Sequence, residues 1–289
     1  MFKMILENES GKQITIGAGS DGTDYPIKEF SGLNPPKATI NTSTTALIDG
    51  GIYNSAKLNM RSMNIAFAVE QNAAESRLAI YKVIQNKKPI KVYYKSEVLD
   101  IFIEGYVEDT DFSYFAQKNI CTVSILCPSP YFKGAQEIIN ELSAIIPRFH
   151  FPFGSLARPD QSLVMGEIDV LTSVEVHNNG NAEAGLTFEL YAKGDITNPK
   201  IIDYTTGEYL KLNIEMELGD LITITTGQGQ KKITLLKGGA ETNIFNAFDV
   251  DSTWLQLSTE GNVYVYEVEY GSITNLVVTI KHYDLYEGV

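Results

Sequence analysis

Three histidines, His150, His177 and His282, and two cysteines, Cys121 and Cys127, are the only side chains of those two types in the 289-residue sequence. Metal coordination and nucleophilic chemistry draw on these types first. No histidine has a helical i, i+4 partner, and no Cys or acidic cluster stands at a zinc spacing. No calcium loop of the helix–loop–helix kind is present. The two cysteines lie six residues apart in what reads as one strand. They share a face about 20 Å apart at the usual strand rise, well beyond the reach of a disulfide. Two reduced, buried thiols are expected, as in a chain folded in a reducing compartment. A Gly-x-Ser-x-Gly elbow is missing. Gly17-Ala18-Gly19 lacks the Lys-Ser/Thr ending and following helix of a phosphate loop.

Paired carboxylates would suit glycoside hydrolysis. Glu267 and Glu269 alternate along one strand, opposite Tyr264, Tyr266, Val268 and Tyr270, and the reading favoured is a solvent face backed by a packed face. Trp254, Tyr264, Tyr266 and Tyr270 could instead form a sugar-stacking platform. Core or interface positions are the favoured reading, because Tyr and Trp are enriched there. No catalytic, cofactor-binding or metal-binding residue is assigned, no cofactor is expected, and the chain reads as a non-enzyme.

The elements that would position such groups are mostly strands. Lys3–Leu6, Gln13–Ile16, Leu58–Val69, Ile90–Tyr94, Leu99–Val107 and Asn119–Leu126 show strand patterning, clearest where Met63, Ile65, Phe67 and Val69 alternate with smaller residues. One helix is expected, capped by Asn72 with Glu75 three residues on. Its apolar stripe is Ala73, Ala74, Leu78, Ile80, Tyr81 and Ile84, and Asn86-Lys87-Lys88-Pro89 stops it. From Ser162 onward every candidate is a strand: Val170–Val176, Gly185–Tyr191, Lys200–Asp203, Tyr209–Leu212, Leu221–Thr225, Lys232–Leu235, Trp254–Leu257, Val263–Val268 and Leu276–Tyr283. Asn- and Gly-rich turns separate them, the signature of a sandwich or barrel.

The expected fold is therefore mainly β in two domains: residues 1–133, β-rich with one helix; a linker or arm over 134–160, broken by Pro147, Pro152, Gly154 and Pro159; and a β-sandwich over 161–289. Charge divides with them. Residues 1–133 carry 14 Lys+Arg and 14 Asp+Glu, whereas residues 134–289 carry 9 and 22, so the whole net charge of −13 sits in the second part. An acidic surface repels phosphate backbones and anionic lipid, so direct nucleic-acid binding and membrane binding are disfavoured. The first residues turn acidic before a signal-peptide core could form, and no stretch reaches the roughly 20 apolar residues of a membrane span. Assembly is expected in the neutral first part, with the Leu58–Val69 strand and its neighbours offering edge pairing.

Several segments taken in order resemble the siphophage distal tail protein family. They are Asp49-Gly50-Gly51, Arg61 leading into the Ile65/Phe67 strand, the Ala74–Ile84 helix closed by Lys88-Pro89-Ile90, and Cys127-Pro128-Ser129-Pro130-Tyr131-Phe132. Asn178-Asn179-Gly180-Asn181-Ala182-Glu183-Ala184, Gly194-Asp195-Ile196-Thr197-Asn198-Pro199, Thr206-Gly207-Glu208, Leu218-Gly219-Asp220 and Tyr286-Glu287-Gly288-Val289 complete the series. Where the family often has Pro-Gly-x-Asn, this chain has Thr259-Glu260-Gly261-Asn262. The resemblance implies a structural hub at the phage tail tip, part of the virion and assembled in the bacterial host cytoplasm. It implies a homo-oligomer, a hexameric ring built by the first domain, with a galectin-like second domain projecting outward. Implied partners are the tail tube protein, the tail-tip or tail-associated protein, and receptor-binding or baseplate proteins. The chain is too short to hold a large extra carbohydrate-binding module, so host binding falls to other proteins. The alternative function is a carbohydrate-binding, lectin-like protein acting through the second domain.

Overall fold

The computed structural model describes residues 2–17, 25–47, 49–69, 73–113, 119–147, 166–170 and 173–289. The expected helix cap Asn72, His150, most of the Gly17-Ala18-Gly19 loop, and the Phe149–Pro159 part of the expected arm lie outside them. The chain forms two compact units, Met1–Gln136 with Leu285–Val289, and Glu137–Asp284.

The first unit runs β1 (Lys3–Asn8), β2 (Gln13–Gly17), β3 (Tyr25–Ser31), β4 (Ala38–Ser43), β5 (Ile52–Leu58), β6 (Arg61–Ala68), α1 (Ala73–Val83), β7 (Pro89–Lys95), β8 (Asp100–Phe112), β9 (Ile120–Cys127) and β10 (Phe132–Gly134). Seven strands follow one another in the order β8-β7-β1-β2-β3-β6-β9, and β9 pairs back onto β8, closing a barrel. A register shift between Val107 and Asp109 lets the long β8 pair with both β7 and β9. Alternation fills the interior: Met63, Ile65 and Phe67 of β6 face Cys121, Val123, Ile125 and Cys127 of β9, with Met4, Leu6, Ile16, Val92 and Ile103 beside them. On the outer face Ser124 Oγ donates to Asn64 Oδ1 at 2.7 Å.

Closure corrects one expectation. β6 pairs with β3 on one side and β9 on the other, so this strand has no open edge to offer a neighbour. The expected strand Leu58–Val69 breaks at Asn59-Met60, leaving Leu58 as the end of β5. Among the described residues of this unit, open edges belong to β4 and β5, which pair only with each other as a hairpin, and to the two-residue strand Leu285–Tyr286 near the chain's end.

The second unit holds β11 (Ile138–Glu141), β12 (Ser143–Pro147), β13 (Gly166–Val170), β14 (Ser173–Val176), β15 (Ala184–Ala192), β16 (Ile196–Asp203), β17 (Tyr209–Lys211), β18 (Glu215–Met216), β19 (Leu221–Thr225), β20 (Lys232–Lys237), β21 (Ala240–Asn243), β22 (Gln256–Leu257), β23 (Asn262–Gly271) and β24 (Leu276–His282). One sheet is ordered β11-β24-β15-β19-β20-β21 and the other β14-β23-β16-β17. Strict alternation along β15 and β24 turns Leu186, Phe188, Leu190, Val278 and Ile280 inward, and Ile201, Tyr264 and Tyr266 supply the second sheet's share of the core. Phe188 and Tyr264 meet edge to face with centroids 5.9 Å apart. The protein is thus mainly β, a barrel unit with one helix and a β-sandwich.

The unit boundaries depart from those expected in two places. Residues 137–147, expected in the arm, supply β11 and β12, and β11 pairs along β24. At the other end the chain leaves the second unit after Asp284. Residues 285–289, expected with the sandwich, return to the first unit, where β25 (Leu285–Tyr286) pairs antiparallel with β10. The second unit is therefore an insertion between two paired strands of the first.

Candidate functional site

The residues with catalytic potential are dispersed and occupied. Glu267 lies 3.8 Å from Lys200 Nζ, and Glu269 lies 3.0 Å from Lys211 Nζ. A hydrogen bond from Asn198 and the Lys211 ammonium hold Glu269 below the usual carboxylate range, the opposite of what a general acid needs. His177 is exposed beside Glu175. His282 is buried, with Nε2 3.2 Å from the His177 carbonyl oxygen and 3.6 Å from Asp284; burial holds its pKa down against the opposing charge of Asp284. Burial also pushes both cysteine thiols up to about 12, which keeps them protonated and unreactive. Among the described residues no group of three or more His, Cys, Asp or Glu stands close enough to hold a metal ion. A shallow depression of about 270 Å³ on the outer face of β19–β21 is lined by Thr223, Thr225, Thr234 and the Lys232–Glu241 ion pair, and the Lys232 ammonium holds its one carboxylate, Glu241, below the usual range.

The four aromatics of the possible sugar platform part company. Tyr264 and Tyr266 are core, whereas Tyr270 is 67% exposed. Trp254 stacks on Phe248 with centroids 4.5 Å apart and planes 11° apart, and Lys231 Nζ stands 5.2 Å from its ring centroid. The stack consumes ring surface a sugar would need.

What the structure does assemble is a knot around Arg61, a residue only 1% exposed. Its Nε donates to the Pro130 carbonyl at 2.9 Å, and Nη1 to Asn34 at 2.8 Å and also to Gly32. Nη2 donates to the carbonyl of Glu287, in the returning tail. The guanidinium sits 4.4 Å over the Phe132 ring. Burial lowers the Arg61 pKa, and carbonyl dipoles with a ring face take the place of a carboxylate. Gly32 has φ +96, and a Cβ there would stand 2.5 Å from the Ser62 carbonyl oxygen, so the backbone that supplies one of these carbonyls depends on glycine. Val289 N donates to Leu33 O at 3.1 Å and closes the tail against the same loop. Sequence inspection singled out Arg61, the Pro130–Phe132 run and the Tyr286–Val289 ending as separate segments. The fold brings all three together.

Two exposed apolar surfaces also belong to the first unit. The hairpin register pairs Ile40 with Ala56, Ala38 with Leu58 and Thr42 with Tyr53, which puts these six on one face. The other face is mostly polar, with Ile52 opposite Ser43 at its end: Asn41 Nδ2 donates to Ser55 Oγ at 2.9 Å, and Thr39 Oγ1 to Asn59 Oδ1 at 2.9 Å. Ile40 is 62% and Tyr53 64% exposed. Helix α1 buries Ile80, Val83 and Ile84 against the barrel, and its last carbonyls, of Lys82 and Val83, accept from Asn8 Nδ2 at 3.3 Å. Ala74, Leu78 and Tyr81, spaced i, i+4, i+7, lie along a more exposed stripe, with Leu78 at 60% and Tyr81 at 38%, the Tyr81 ring meeting Phe112 of β8 edge to face at 5.3 Å. The expected apolar stripe of the helix had included these three.

Residues 179–284, within the second unit, match the family model described as the siphovirus-type tail component, C-terminal domain. No curated protein sequence matches the chain. In fold the chain is similar to the crystal structure of the SPP1 Dit protein, described as a paradigm of the hub adsorption apparatus in phages that infect Gram-positive bacteria. That likeness covers 99% of each chain, with TM-score 0.65 and 15% identity. It is also similar to a chain of the phage P2 baseplate in its activated conformation with calcium, over 100% of each chain, with TM-score 0.54 and 14% identity. A third likeness is to the same baseplate with strontium, over 98% of each chain, with TM-score 0.51 and 14% identity.

Proposed function

We propose that this protein is a structural hub of a phage tail tip, forming a ring that joins the tail tube to tail-tip and host-adhesion proteins. The observation that carries the reading is the full-length likeness in fold to a protein described as a hub, with the family match falling on the sandwich. The physics of the chain supports it. The two carboxylates that alternate on one strand, Glu267 and Glu269, are held by lysines, and both thiols are core, as suits a scaffold. A net charge of zero in residues 1–133 lets copies pack closely, whereas the acidic remainder favours a solvated, peripheral place. The ring is built by the first unit and is hexameric, the sandwich faces outward, and the protein acts without turnover.

The test is native mass spectrometry and negative-stain imaging of the full chain. A closed ring of about six 32.0 kDa copies with a central opening is expected. A single copy at every concentration up to tens of micromolar would overturn the reading.

A further inference from the structure

The β4–β5 hairpin is an amphipathic two-stranded ribbon whose apolar face is bare. Such a ribbon is marginally stable in water, and two open edges beside exposed Ile and Tyr invite association. Natural edges are commonly guarded by charge, yet from Ala38 to Leu58 the only charged residues are Asp49 and Lys57. The opposite face carries the Asn41–Ser55 and Thr39–Asn59 hydrogen bonds and one exposed large apolar side chain, Ile52, so the larger demand for a cover falls on the face of Ile40, Tyr53, Ala56 and Leu58.

We infer that this face docks on the Ala74-Leu78-Tyr81 stripe of α1 in a second copy of the chain; the inference rests on the ring reading above. A ring needs two different patches on each subunit, complementary to each other and unable to close within one copy. Both patches lie on the first unit, and in the single chain Ile40, Tyr53 and Leu78 stay largely exposed and Tyr81 partly so, one edge of its ring packed on Phe112. Among that unit's exposed large apolar residues outside the hairpin, Leu78 and Tyr81 are the pair that share one helical stripe. A helical stripe laid on an apolar surface is an ordinary recognition mode. The hairpin's net charge of zero removes repulsion between identical neighbours. An acidic or basic partner would find no counter-charge on it.

The test uses two full-length variants, Ile40→Asp with Tyr53→Asp, and Leu78→Asp. All three positions are exposed, and circular dichroism with thermal melting verifies that each variant is folded. Each alone is expected to lose the ring and run as single copies. Mixed in equal amounts, they retain one working hairpin face and one working helix stripe between them. A two-copy species is then expected, and no larger one. If the hairpin variant is monomeric but Leu78→Asp assembles as the unmodified chain does, the hairpin pairs elsewhere and the inference fails. It fails too if both variants still form rings, in which case another tail protein covers the hairpin while the ring reading survives. An unmodified chain that is itself monomeric sinks the ring reading.

Discussion

Arg61, at the first residue of β6, is tied through its guanidinium to the carbonyl of Glu287, two residues before Val289. A buried cation in the barrel is thus completed by a segment that arrives only after the whole inserted sandwich has been traversed. Arg61→Met removes the donor of four hydrogen bonds and leaves buried carbonyls unpaired. The expected cost is about 3 kcal/mol or more of first-unit stability, read as a lowered urea midpoint. Arg61→Lys is expected to recover little of it, because an ammonium lacks the planar fork that reaches Pro130, Asn34 and Glu287 together. Full stability of the lysine variant would count against the knot.

The thiols of Cys121 and Cys127 point into the barrel with Val123 and Ile125. With both pushed up to about 12 by burial, neither is expected to react with a maleimide in the folded protein at pH 8. Both are expected to react once urea unfolds the unit. Rapid labelling of the native chain would show an opening that the closed barrel does not provide.

How much of this was legible beforehand depended on element length. Period-two runs read correctly for β6, β9, β15 and β24, since each has one buried face and seven or more residues. β25 has two residues, too few for any period, and its place is set by Arg61 and by pairing with β10. The helix shows a different limit. A broad apolar arc fits more than one way of packing: the stripe expected from periodicity held Ala73, Ala74, Leu78, Ile80, Tyr81 and Ile84 together, whereas the barrel buries the Ile80-Val83-Ile84 side. Arg61 could not be read as buried because arginine seldom is; the only hint was its place in a series of family-like segments. The Tyr264 and Tyr266 core positions were legible from alternation, and Tyr270 on the same face was not, because β23 emerges from the core after Tyr266.

His282 gives the sandwich a pH dependence with a defined sign. Burial lowers its folded pKa below the ordinary value, with Asp284 opposing. As pH falls from about 6.5, the ordinary histidine value, the unfolded chain therefore takes up the proton first. Stability is complete above that pH and declines below it. The decline should be visible between pH 6.5 and about 5, before most carboxylates titrate. His282→Gln is expected to flatten the slope of the urea midpoint against pH in that window. An unchanged slope would place the titrating group elsewhere.

The last prediction concerns which pieces fold alone. Residues 137–284 hold both sheets of the sandwich, so this fragment is expected to keep its β circular-dichroism signal and a cooperative melt. The first unit is different. A fragment ending at residue 133 has Arg61 but lacks Glu287, the Val289–Leu33 bond and the partner strand of β10. It is expected to melt lower than the same unit in the full chain. The pairing of Phe132 with Tyr286 and Lys133 with Leu285 brings the two cut ends within about 5 Å, the spacing of paired strands. A turn of about four residues can therefore replace the sandwich, joining residues 1–134 directly to 285–289. This minimal chain is expected to regain the stability that the 1–133 fragment loses, and Arg61→Met is expected to abolish the gain. If residues 1–133 alone melt as high as the joined chain, the returning tail contributes nothing to the barrel.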